Sequence, residues 1–276
     1  MHAGLLEFAV AFYGLGTVLM FPSLARRRLS VGAGSLAALS MGLLLNGASL
    51  LFAALRMHRL PVVDVRSALS FFAFNVTLAF FLIYRRYQIT WLGILIFPFV
   101  FFLTLAAVLN PARTLAFSAM RGGWLLVHSS AMILGYTGLF LTFVAAILYL
   151  MQEGVLKSKR PRAFYDKLPS LEVCSRLYDR SLVFGLVCLS VGIITGCLWA
   201  ARAWGGNWEL DPKILATLLT WLLYIVLFST RFSGSWRGRR SAYAAIFGFA
   251  ATMVTFLGIS FLSSQHGYFP IVSRMR

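Results

Sequence analysis

Eight apolar runs, each about long enough to cross a bilayer, limit what this chain can fold into. They fall at about residues 4–24, 32–55, 67–84, 90–109, 122–151, 181–203, 214–230 and 241–262. In hydrocarbon a segment must satisfy its own backbone N–H and C=O groups, and a helix of about 20 residues does so while spanning the core. The sequence therefore predicts an all-α polytopic membrane protein: a single transmembrane domain over 1–276, built as a bundle of about eight transmembrane helices. Composition agrees, with 60% hydrophobic and 12% charged residues where soluble domains carry about a quarter charged.

The charges are sparse and one-sided. A net +17 does not point to nucleic acid here, because the basic residues sit in short clusters between apolar runs, where they set topology and meet anionic lipid. Under an eight-span arrangement one side of the membrane holds 16 Lys and Arg and the other 9. The richer side is expected to be cytoplasmic, so both termini and the loop beginning at Trp204 face outward. The first basic cluster, Arg26–Arg28, follows the first apolar run, an order opposite to that of a cleavable signal peptide. That run is expected to stay as a helix in a multi-pass protein of the bacterial inner (plasma) membrane. The inner segment from Gln152 to Arg180 reads either as a solvated connector or, in part, through Leu168, Leu171, Cys174 or Ser175, and Tyr178, as an amphipathic helix on the inner leaflet.

Groups able to do chemistry are few. Asp and Glu total 8, and no glycine-rich phosphate loop, zinc-protease motif or nucleophile elbow occurs. The cysteines Cys174, Cys188 and Cys197 form no Cys-x-x-Cys pair and no haem-attachment site. The chain is thus read as a non-enzyme. Two features remain. His128 lies inside the fifth apolar run, where an imidazole needs a partner; it reads either as hydrogen-bonded to a neighbouring hydroxyl or as an axial ligand to haem iron. His266 follows the eighth run beside Gln265 and Tyr268, and reads either as an interfacial residue or as the second ligand. The loop from Trp204 to Asp211 carries two indoles, at 204 and 208, and ends on an Asp-Pro pair suited to a helix start. An interfacial aromatic belt accounts for such tryptophans, as does stacking on a flat aromatic ligand.

The order of residues in that loop carries more. Trp204-Gly-Gly-Asn-Trp208-Glu-Leu-Asp211-Pro-Lys213, with Thr220-Trp221-Leu-Leu-Tyr224 after it, resembles the tryptophan-rich WWD signature of the cytochrome c assembly family (CcsA, ResC, CcmC, CcmF and the shorter HemX-like members). Gly192-Ile-Ile-Thr-Gly-Cys-Leu-Trp199 resembles the family's preceding helix, Gln265-His266-Gly-Tyr268 its later histidine motif, and His128-Ser-Ser-Ala-Met-Ile-Leu-Gly-Tyr136 its earlier histidine helix. The resemblance covers about 120–268. It implies haem b held noncovalently at the outer membrane face, with His128 and His266 as iron ligands and Trp204, Trp208 and Asp211 as the platform. It implies as partners haem, a ResB-like subunit and an apocytochrome c, with any synthetase activity shared with the partner subunit. Leu210, Ile214 and Ala216 stand where a fuller motif has Trp, an acid and Trp. Together with the short length, that resembles the HemX-like branch, which implies a regulator of haem biosynthesis acting on glutamyl-tRNA reductase levels. A haem-free small-molecule transporter is the third expectation.

Overall fold

A computed structural model describes residues 2–25, 31–57, 64–110, 123–158, 168–203, 211–236 and 238–258. Among these residues the protein is all-α: α1 (His2–Ala25), α2 (Ala33–Met57), α3 (Val65–Tyr87), α4 (Thr90–Leu109), α5 (Gly123–Ser158), α6 (Leu171–Ala203), α7 (Pro212–Phe232) and α8 (Arg239–Met253), which runs into a π-helical turn at Val254–Gly258. The first seven are long and apolar enough to cross a membrane. The protein is a multi-pass membrane protein.

The chain divides into two compact units, one of residues 1–114 and 147–176, the other of 115–146 and 177–276. In the first unit α1 packs on α2 and α4, and α3 on α4 and α2. Its apolar centre includes Phe80, edge-on to Phe97 at 5.1 Å and stacked on Tyr84 at 5.4 Å. One polar pair is buried there: Ser70 Oγ donates to Asn46 Oδ1 at 2.6 Å, and Asn46 Nδ2 donates to the Ser70 carbonyl at 3.1 Å. Each polar group satisfies the other, as a membrane interior requires.

The second unit holds the functional candidates. Here α5 and α6 meet backbone to backbone. A Cβ placed on Gly138 would lie 2.5 Å from the Gly185 Cα, and one on Gly135 3.0 Å from the Leu189 backbone nitrogen. Dispersion and close backbone approach hold helices together where lipid is as apolar as leucine, and glycine permits that approach.

The segment from Gln152 to Arg180 differs from its reading as a connector or leaflet-bound helix. α5 continues to Ser158 and α6 starts at Leu171, so most of that segment extends the two spanning helices. Ser170 caps the start of α6, its Oγ accepting from Val173 N at 3.3 Å. Ion pairs one turn apart, Glu153 with Lys157 at 2.7 Å and Glu172 with Arg176, support both extensions. Of the residues in that reading, Leu168, Cys174 and Tyr178 are buried in the protein and Leu171 is half-buried. Apolar run length marks only the part of a helix inside hydrocarbon, and these ends lie beyond it.

Candidate functional site

α5 carries His128 about one and a half turns from its start at Gly123. Its partner comes from α6, 64 residues away: Nδ1 lies 2.7 Å from the Gly192 carbonyl oxygen. A carbonyl only accepts, so Nδ1 carries the proton, and the neutral ring keeps the Nε2 lone pair. Of the two readings open for this histidine, a hydroxyl partner is not what the structure shows. A backbone carbonyl on one nitrogen is the arrangement that orients an imidazole whose other nitrogen binds a metal.

The ring sits directly on the α6 backbone. A Cβ on Gly196 would lie 2.5 Å from His128 Nδ1 and 2.6 Å from Cε1, and one on Gly192 would lie 2.6 Å from Met132 Sδ. Thr195 Oγ1 also reaches the Gly192 carbonyl, at 3.0 Å, while bonding the Val191 carbonyl at 2.7 Å. Sequence reasoning did not single out these two glycines as neighbours of the histidine. Their Gly-x-x-x-Gly spacing was the available signal. At the same end of the pair the Arg202 guanidinium lies over the Trp124 ring, 5.8 Å from its centroid, one helical turn from His128.

Asp211 begins α7. Buried at 5% exposure, its Oδ1 accepts from Lys213 N at 2.9 Å and Ile214 N at 3.4 Å, and Pro212 occupies the first helical position. An aspartate so placed satisfies orphan amides and complements the helix dipole. It thereby fixes where the chain leaves the tryptophan loop. Asp211→Ala is expected to cost about 1 kcal/mol and Asp211→Asn much less, measured by denaturant unfolding in detergent. α7 is tied to α6 by Trp221 Nε1, which donates to Ser190 Oγ at 2.9 Å, and to the π turn by Thr220 and Thr255, 3.0 Å apart.

His266, Trp204 and Trp208, like His58, lie outside the described residues. Among the described residues no three His, Cys, Asp or Glu side chains gather to hold a metal ion. What this part of the chain presents is one oriented imidazole, a donor that fits a metal already held by a macrocycle. The chemistry of that donor is compatible with haem iron, which accepts neutral imidazole.

The family model described as "Cytochrome C assembly protein" matches residues 3–266. That match takes in α1–α4, where the sequence displayed only apolar runs. Among curated proteins the chain is similar to the cytochrome c biogenesis protein CcsA of Guillardia theta, at 30% identity over 231 aligned residues covering 75% of this chain and 76% of the relative. It is similar to the protein of the same name from Porphyra purpurea, at 29% identity over 94% of this chain and 95% of the relative. The CcsA protein of Prochlorococcus marinus (strain MIT 9301) is 28% identical over 75% of each.

Proposed function

Starting from the chain's membership of the cytochrome c assembly protein family, we propose that it binds haem b noncovalently at the external membrane face and handles it for cytochrome c assembly. The observation that carries this reading is the His128 imidazole, whose Nδ1 proton is committed to the Gly192 carbonyl at 2.7 Å, leaving Nε2 as a neutral donor. Haem, when bound, supplies an iron whose axial positions take neutral imidazole. His128 and His266 would supply those imidazoles. Trp204 and Trp208 would offer the macrocycle aromatic faces, and Asp211 caps the start of α7 that follows their loop. Lys213 or an outer arginine pairs with a propionate. The partners of this reading are a ResB-like subunit and an apocytochrome bearing Cys-x-x-Cys-His.

Assembly is favoured over regulation of glutamyl-tRNA reductase because the similar curated proteins carry the cytochrome c biogenesis name. The basic side, with 16 of the 25 Lys and Arg, is taken as cytoplasmic, which places the tryptophan loop and both ligands outward.

The test is the absorption spectrum of purified protein, wild type beside His128→Ala and His266→Ala. Wild type is expected to show the Soret band of six-coordinate haem, and each variant to lose haem or shift to a five-coordinate spectrum, because one axial position opens. Unchanged haem content and band positions in both variants would remove the ligand assignment. A wild type without a Soret band would favour a haem-free transporter.

A further inference from the structure

The helix seat beneath His128 has a role of its own. Two features of α6 act on the ring together: the Gly192 carbonyl takes the Nδ1 proton at 2.7 Å, and the missing side chain of Gly196 leaves the space the ring occupies, since a Cβ there would lie 2.5 Å from Nδ1 and 2.6 Å from Cε1. We propose that Gly196 and the Gly192 carbonyl form a seat that fixes both the orientation and the tautomer of His128, making Gly196 a positioning residue for the axial ligand. This rests on the haem reading above and deepens it.

The physical case is one of geometry. An imidazole can turn about two side-chain torsions, and either ring nitrogen can carry the proton. Close against the α6 backbone, the ring bonds the Gly192 carbonyl through Nδ1, which leaves Nε2 outside that bond. A methyl group at 196 overlaps the ring atoms, and the ring escapes only by giving up the carbonyl. The ligand then loses the hydrogen bond that orients it and supports its basicity. Gly192 is closed in as well: a Cβ there would lie 2.6 and 2.8 Å from Met132 Sδ and Cγ and 3.1 Å from the Met132 backbone nitrogen, so both glycines let α5 approach α6 at the histidine.

Full-length protein is purified in mild detergent as wild type, Gly196→Ala, Gly154→Ala and His128→Ala. Gly196→Ala is expected to hold haem about 10- to 100-fold more weakly, with the remaining haem high-spin as in His128→Ala. Free imidazole, which needs no seat, should restore the low-spin spectrum in both, while Gly154→Ala, on α5 with nothing within 4 Å of its would-be Cβ, keeps the wild-type band positions. A Gly196→Ala spectrum identical to wild type, while His128→Ala changes, overturns the proposal. So does haem loss in Gly196→Ala that free imidazole does not rescue, which would mark general damage to the helix pair. The seat is also read without haem, by ¹⁵N NMR of histidine-labelled apoprotein with His128→Ala for assignment. The wild-type His128 should be the Nδ1–H tautomer, and an Nε2–H tautomer sinks the seat whatever haem does. Should His128→Ala leave the Soret band unchanged, the haem reading falls and the tautomer measurement alone decides the seat.

Discussion

Gly138→Leu is expected to unfold the second unit or leave it too unstable to purify, a loss of about 3 kcal/mol or more. The Gly138 Cβ would meet Gly185 Cα at 2.5 Å and Gly185 N at 2.6 Å, and a Cβ on Gly185 in turn would meet Leu139 N at 2.9 Å. These are backbone atoms and cannot swing aside as a long side chain does, so α5 and α6 must move apart. Separation costs contacts along the whole seam, including the carbonyl bond to His128, because interhelical attraction in lipid depends on close approach. Gly138→Ala, which needs a shift of about 1 Å to reach ordinary contact distance, is expected to be intermediate. Gly154→Leu is the control: it lies on the same helix with nothing within 4 Å of its would-be Cβ, and leucine is the better helix former. Unfolding by denaturing detergent from mild micelles measures all three. A Gly138→Leu protein as stable as the Gly154→Leu control would show that the two backbones do not meet.

Arg231→Ala is expected to lower stability by about 2–3 kcal/mol. Arg231, in the last turn of α7, donates from Nε to Asp179 Oδ1 of α6 at 2.7 Å, and its guanidinium lies 4.8 Å from the Tyr178 ring centroid. Tyr178 donates to the Ser241 carbonyl at 3.1 Å and accepts from Ser241 Oγ at 2.8 Å, so one cluster binds α6, α7 and α8. Exposure decides the magnitude. The Arg231 side chain is 10% exposed and that of Asp179 35%, between a surface pair worth under about 1 kcal/mol and a buried one whose disruption costs about 3–5. Asp179→Asn, which removes the charge and keeps the tyrosine contact, should cost less, and the double variant should show a coupling of about 1 kcal/mol. Strictly additive losses would mean the pair contributes nothing. The cluster sits where α6 begins and α7 ends, two segments whose basic residues the charge count assigned to one side of the membrane.

Much of this was legible in the chain. The fourth apolar run, 90–109, coincides with α4, because a stretch that rich in Phe, Leu and Ile has no other way to satisfy its backbone in lipid. The Asp211-Pro212 pair announced the start of α7, since capping is local chemistry between residues two and three apart. The ends of α5 and α6 were not legible, because charged turns beyond the hydrocarbon look like loop and are held helical by ion pairs and a serine cap. The partner of His128 was out of reach for a different reason. A backbone carbonyl is present at every residue, and nothing in the letters distinguishes Gly192 from its neighbours as an acceptor.

The sequence by itself determined that the protein crosses a membrane many times, that its polar chemistry is confined to a few residues, and that a lone imidazole lies within a span. Each of these follows from what one segment must do to survive in lipid. Only the tertiary structure decided that α5 and α6 touch through Gly138 and Gly185, and that His128 gives its Nδ1 proton to α6. Apolar pattern cannot choose a helix's neighbour when the solvent is itself apolar. That choice is made by how closely two backbones can approach, a property of both helices at once.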